Sequence, residues 1–307
     1  MVTAIGEDAS RVLTSPDFDV IPFADYYQGL SERLGLDFGA ILFTLRHVPL
    51  GLRGADHAAQ RGDAAKLISE RRSAVSSVLP GVVARNYGCL GTPGTYDLIT
   101  KAIAPSVDEM ITELIGLAPE LDENSLISRV FSQKLGVAKR VRMNAELAIL
   151  IQRLRSAFPD DSETRLASRL TLVVLGRDAI IGSLALSLKG HIEDAASRFA
   201  VPPSHSSVPL VPRIALQPTE IAGQAVAGDE MMLCQLQSVS DDGQIDRSRF
   251  FGAGAHMCIG RVLVIDMFKH LSRFMSGLST KLTVQETTLR DCDVFAVPEH
   301  LRIRVEQ

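Results

Sequence analysis

Cys258 lies in a stretch made of the residue types that a soft metal centre uses. The stretch is Phe251-Gly252-Ala253-Gly254-Ala255-His256-Met257-Cys258-Ile259-Gly260. A thiolate is a soft, strongly donating ligand for iron, and a bound metal keeps it deprotonated. Gly252, Gly254 and Gly260 permit backbone shapes closed to other residues and let the chain approach a flat cofactor. An apolar run with helical character follows, including Leu263, Val264, Met267, Phe268 and Leu271. A thiolate at the start of a helix gains from the helix field and its free N–H groups. These are the needs of a cysteine-ligated haem. Taken alone, a free cysteine is more often a small buried hydrophobe.

Two other stretches carry chemistry. His57 and Arg61 stand four apart at the start of an expected helix, on one face. Two donors on one face suit a carboxylate, although such a pair by itself is more often a solvated face. The second stretch, 168–188, is apolar almost all round, which predicts a buried helix. Gly176, Arg177 and Asp178 interrupt it. Burying two charges there is costly unless they are paired or functional.

The loop at 251–260, Phe-Gly-x-Gly-x-His-x-Cys-x-Gly, resembles the haem-binding loop of the cytochrome P450 family. The resemblance implies that Cys258 is the axial ligand of haem b (iron protoporphyrin IX). It implies that Phe251 packs near Cys258 and that His256 holds a haem propionate. His57-x-x-x-Arg61 resembles a family helix that also grips haem. Pro212-Arg213-Ile214-Ala215 resembles the strand whose arginine binds a propionate, and 223–230 resembles the hairpin after it. The stretch at 168–188 resembles the central helix that crosses the oxygen-binding face. There Gly176 and Asp178 match the glycine and the acid, and Ala179 stands where a threonine delivers protons. Arg198 matches the arginine of a Glu-x-x-Arg helix, but Ala195 occupies the glutamate position.

The resemblance covers the chain from about residue 8 to its end, in reduced form, with a shortened lid region between residues 117 and 168. The expected fold is mainly α with small β-sheets, a reduced cytochrome P450-like fold in one domain over 1–307. Local patterns agree. Residues 6–14 read as a short helix closed by Ser15-Pro16, 96–116 as a helix interrupted at Pro105, and 124–157 as one or two more. Two short strands joined by a turn fit 212–230, and alternation over 281–305 predicts a small antiparallel sheet. The aromatics Phe23, Tyr26, Tyr27, Phe38 and Phe43 suit ordinary core packing better than a pocket.

Composition bounds the function. The chain has 307 residues, of which 46% are hydrophobic, enough for a full core. It carries 32 basic and 36 acidic residues, a net charge of −4, which disfavours nucleic acid as the partner. Cysteines 89, 234, 258 and 292 are scattered with no CxxC pair, which reads as reduced thiols in a cytoplasm. Neither a signal segment nor a membrane span is expected.

The function implied is a haem-thiolate, monooxygenase-like oxidoreductase acting on a small organic substrate. Its electrons would come from a ferredoxin-type donor, for which Lys66, Arg71, Arg72 and Arg261 offer a basic patch. The catalytic positions would be Gly176, Asp178 and Ala179. Because Ala179 lacks the hydroxyl, two alternatives stand beside this reading. One is a peroxide-using or non-redox haem-thiolate enzyme, in which Arg177 could orient a substrate carboxylate if it is not instead paired locally with Asp178 or another partner. The other is a noncatalytic P450-like accessory protein for a biosynthetic partner enzyme.

Overall fold

The structure, a computed structural model, describes residues 2–132, 134–194, 205–239, 245–246 and 248–307. Ala195 and Arg198, the positions matched to the Glu-x-x-Arg helix, lie outside the described residues. Among the described residues the α-helices are α1 (Gly6–Thr14), α2 (Phe23–Leu34), α3 (Gly39–His47), α4 (Gly54–Tyr87), α5 (Ala104–Ile115), α6 (Val137–Ala157), α7 (Glu163–Val174), α8 (Arg177–Glu193) and α9 (Arg261–Ser276). The first strands are β1 (Val2–Ala4), β2 (Phe18–Asp19), β3 (Gly94–Asp97) and β4 (Leu210–Ala215). They are followed by β5 (Thr219–Ile221), β6 (Gln224–Val226), β7 (Met231–Gln235), β8 (Ser238–Val239), β9 (Ile245–Asp246), β10 (Lys281–Leu289) and β11 (Pro298–Glu306).

The chain divides into two compact units, each assembled from three stretches. The first comprises Met1–Leu67, Leu121–Val174 and Pro209–Ile259. Its sheet has the order β1-β7-β4-β2, with β1 parallel to β7 and the other pairs antiparallel. Strand β4 therefore sits inside the sheet, which fixes Arg213 opposite Met232. The turn Ala222-Gly223 joins β5 to β6, with φ of 54° and 74°, the left-handed shape that a tight hairpin needs. The helical layer of this unit buries Tyr27, Phe38, Ile41, Leu45, Met143 and Leu147. Phe23 meets Phe131 and Tyr27 meets Phe38 edge to face, so these four are core, whereas Tyr26, expected in the core too, is 42% exposed.

The second unit comprises Ile68–Glu120, Leu175–Val208 and Gly260–Gln307. Its sheet has the order β10-β11-β3, all antiparallel. Helix α9 buries Leu263, Val264, Met267, Phe268, Leu271 and Met275 at helical spacing, as the run after Gly260 predicts. The expected helix over 96–116 begins later. Thr95, Tyr96 and Asp97 are instead an edge strand paired with Arg304, Ile303 and Arg302. A wide helical turn at Ile99–Ile103 then leads into α5, with Pro105 in its first turn, where a missing N–H costs nothing. Sequence periodicity overran because Leu98, Ile99, Ala102 and Ile103 are buried whichever way the backbone enters the helix.

The stretch read as one buried helix is two, α7 and α8, with a break at Leu175-Gly176. The span Glu163–Glu193 is long and apolar enough to cross a membrane, but 78% of its most apolar window is buried inside the protein, as in a core helix.

Asp97 fastens the edge of the second sheet. Its carboxylate accepts from the N–H groups of Ile99 and Leu301, and His300 Nδ1 lies 2.6 Å from Oδ2. Removing it strands two backbone donors, each costing about 1–3 kcal/mol where water cannot replace the partner. Asp97→Ala is expected to lower stability by about 2 kcal/mol in urea unfolding, and an unchanged midpoint would contradict this role.

Candidate functional site

The loop around Cys258 is shaped by backbone hydrogen bonds. Gly252 N–H donates to Arg249 O at 2.7 Å, and Cys258 N–H donates to Phe251 O at 2.7 Å. Gly252 and Gly254 have φ of 73° and 68°, where a side chain is strained. A Cβ on Gly254 would also overlap the Leu13 carbonyl of α1. Gly260 differs from the expectation for it: at φ −82° it is an ordinary residue capping α9. Phe251 stacks edge to face on Phe250, with ring centroids 4.8 Å apart. Cys258 is exposed. Cys234 on β7 is the contrast, since burial pushes its thiol up to about 11 and keeps it protonated.

Four donors converge beside this loop within the first unit. Arg61 of α4 donates to Met257 O at 2.6 Å, which ties α4 to the residue preceding Cys258. One turn earlier on the same face, His57 stacks its ring 3.9 Å from that of His256. His57 is 6% exposed, and its Nε2 is buried without a hydrogen-bond partner. Arg213 of β4 is 4% exposed and donates to the Pro212 carbonyl at 2.9 Å. None of the four forms an ion pair with a carboxylate among the described residues. Asp19 lies near enough to favour protonation of His57, but its carboxylate pairs with Arg53 at 3.3 Å.

The electrostatics follow from that crowding. His57 is held below the ordinary histidine range, first by burial and then by Arg61, with Arg213 adding to it. His256 is pushed down to about 3, first by burial and then by His57, Arg213 and Arg61. Burial also lowers Arg213. An anion entering such a set would raise the proton affinity of both imidazoles. Two carboxylates of a planar ligand suit two guanidiniums and two imidazoles, because charge-assisted hydrogen bonds are the stronger ones. The exposed thiol in the same loop adds a soft ligand for iron.

The second unit holds the other expected positions, and of the two readings of Arg177 the paired one holds. Arg177 is not free to orient a substrate carboxylate. It is 6% exposed, and its Nε and Nη2 donate to the two carboxylate oxygens of Asp108 on α5 at 2.6 and 2.9 Å. Its Nη1 lies 3.4 Å from Asp178 Oδ1, and Arg290 Nη1 lies 3.8 Å from Asp178 Oδ2. Asp178 is thus held between two guanidiniums. Gly176 caps α8 in right-handed helical conformation.

At Ala179 a hydroxyl arrives from elsewhere in the chain. Ser207 Oγ donates to the Ala179 carbonyl at 2.6 Å, and Ser183 Oγ donates to Ser207 Oγ at 3.2 Å. The segment lies so close that a Cβ on Gly182 would meet Ser207 Cβ and the Ala296 carbonyl, each at 2.6 Å. The repeated small residues Gly182, Ser183 and Ser187 were the sequence signal for this contact. Of the basic patch, Arg71 pairs with Glu113 at 2.9 Å and Arg72 with Asp266 at 3.7 Å, so two of its four charges are committed.

No family model matches the sequence, and no curated protein matches it. Solved structures do. CalO2 superposes with a TM-score of 0.80 over 97% of this chain and 89% of its own, at 17% identity. P450 RauA, solved with a biosynthetic intermediate of aurachin RE, gives 0.76 over 99% and 90%, at 16% identity. P450BioI, solved with an acyl carrier protein ligated to hexadec-9Z-enoic acid, gives 0.73 over 98% and 91%, at 18% identity. The chain has the cytochrome P450 fold, mainly helical with small sheets.

The depressed histidines make acid stability a test of the cluster. An unfolded imidazole titrates near about 6.5, whereas His256 stays neutral in the folded chain down to about 3. Below the unfolded value the unfolded chain binds protons that the folded chain refuses, so stability present above it is lost on acidification. Apoprotein melting temperature is expected to fall between about pH 7.5 and about pH 5, and His256→Gln to flatten that fall. An equal fall in the variant would contradict the crowding.

Proposed function

We propose that this chain is a haem-thiolate oxidoreductase of the monooxygenase type, acting on a small organic substrate. The observation that carries the reading is the cluster of His57, Arg61, Arg213 and His256, with no carboxylate partner among the described residues, in the unit that contains Cys258. Cys258 ligates the iron, and Phe251 packs near the thiolate. Gly252 and Gly254 let the loop backbone run beside the ring, and Gly260 starts α9. Arg61 and Arg213 donate to the propionates. His57 donates from Nε2, the atom now without a partner, and His256 joins it, so both imidazoles gain proton affinity as the anion arrives. Arg198 remains a weaker propionate candidate on the resemblance alone.

Haem ligated by a thiolate supplies oxygen chemistry, because the thiolate favours O–O cleavage. The role of α8 in that chemistry rests on the resemblance, which gives Gly176, Asp178 and Ala179 the oxygen side. Asp178 lies between Arg177 and Arg290, and the resemblance gives its carboxylate a relay role through water. Ala179 offers no side-chain hydroxyl, and the Ser207 hydroxyl is spent on the Ala179 carbonyl. Proton delivery then depends on Asp178, on water or on a hydroxyl of the substrate. Electrons come from a separate donor protein, of ferredoxin type in this reading.

A second reading is favoured by the absent hydroxyl: the same site uses peroxide, or rearranges its substrate without external electrons. Conversion of substrate without consumption of reductant would select it. A noncatalytic role fits less well, because a retired site has no need to keep an exposed cysteine beside four converging donors.

The ferrous protein under carbon monoxide is expected to show the red-shifted carbonyl band of thiolate ligation, and Cys258→Ala to lose it while still taking up haem. A band unchanged in that variant would overturn the assignment of Cys258.

A further inference from the structure

The outward face of α6 is unlike the rest of the surface. Val137, Val141 and Ile149 are 44%, 45% and 60% exposed, and Ala145 and Ala148 between them are exposed too. Their spacing by three and four places them on one side of the helix, opposite the buried Met143, Leu147, Leu150 and Leu154. Single exposed apolar residues need no explanation, but a continuous stripe on one helix does.

Charge surrounds the stripe. Residues 134–157 hold six basic residues, Lys134, Lys139, Arg140, Arg142, Arg153 and Arg155, and one acidic residue, Glu146, in a chain of net charge −4. Arg140 is buried, Arg142 is engaged with Glu146, and Arg155 pairs with Glu163 at 3.5 Å. Lys134 and Lys139 are exposed and have no ion-pair partner among the described residues. Helical geometry sets Lys139, Arg142 and Arg153 along one flank of the stripe.

We propose that this face docks an acidic amphipathic helix of another protein. Apart from Ile149 the side chains of the stripe are Val and Ala, so a partner helix can approach closely along most of it, since interaxial distance follows the residues at the contact. A membrane-surface helix needs several bulky apolar anchors such as Trp, Phe or Leu on its apolar face, and Ile149 is the one side chain of that size in this stripe. A second copy of the chain would bring the same cations against each other, which is repulsive. Carboxylates flanking an Ala- or Leu-rich stripe answer both features at once. The proposal is independent of haem, because no residue in it belongs to the cluster around Cys258.

The test uses the full chain and a fluorescein-labelled helical peptide with Ala and Leu on one face and Glu along its flank. Fluorescence anisotropy is expected to show binding that weakens as salt rises. Lys134→Glu/Lys139→Glu and, separately, Val141→Asp/Ile149→Asp should each weaken it by about tenfold or more. The same peptide with Lys in place of Glu should not bind. Circular dichroism checks that each variant is folded, and the charge-reversal pair stands as the test if the apolar pair is not. Failure of the acidic peptide to bind, or equal binding by the charge-reversal variant, would overturn the proposal. So would stripe-dependent uptake by phosphatidylserine vesicles without peptide binding, or a stripe-dependent dimer in sedimentation, which would name a membrane or a second copy as the occupant.

Discussion

Two guanidiniums and two imidazoles are held together beside the Cys258 loop without a carboxylate partner among the described residues. Like charges resist this arrangement, and burial resists it further. It persists because each donor is fixed by an element with other reasons to be where it is. Helix α4 carries His57 and Arg61 one turn apart, and Arg61 is tied to the loop through the Met257 carbonyl. Strand β4 is an inner strand of its sheet, so Arg213 has no freedom to swing away with an edge. His256 is set by a turn that only glycine at 252 and 254 allows. Donors fixed in this way need little further ordering to meet an anion.

The second unit solves its charge problem within itself. Arg177 begins α8, where the helix field disfavours a cation. Asp108 answers it with two hydrogen bonds from α5, and Asp178 lies against its other side. Breaking a buried pair of this kind by removing one partner is far more damaging than the net value of the pair suggests. The buried charges in α8 are therefore accounted for within the helical layer, and the same pairing holds the acid at 178 in one place. Beside it, the close approach at Gly182 lets the Ser207 segment lie on the helix and bring a hydroxyl to a backbone carbonyl.

Much of this was legible in the chain. The glycine and cysteine pattern at 251–260, the four-residue spacing of His57 and Arg61, and the alternation over 281–305 each reflect a local rule, and local rules survive in the folded protein. Most of the misses are long-range. Tyr96 and Asp97 read as helix because nothing nearby announces that β11, two hundred residues later, pairs with them. The choice between a paired Arg177 and one open to a ligand stayed undecided because its partner, Asp108, stands in a different helix. The break between α7 and α8 was hidden by a run of apolar residues that are buried on either side of it. Sequence shows that Ala179 has no hydroxyl, and only the small residues Gly182, Ser183 and Ser187 hint at the segment that brings one.

The claim that the cluster awaits carboxylates is tested most directly by haem whose carboxylates are masked. Apoprotein is titrated with haem and, in parallel, with its dimethyl ester, and affinity is read from the absorbance of the bound form. Hydrogen bonds to charged groups contribute about 1.5–3 kcal/mol each, so the ester is expected to bind at least about tenfold more weakly. The difference should shrink in a His57→Asn/Arg213→Gln variant. Equal affinity for the two ligands in the unaltered protein would contradict the account.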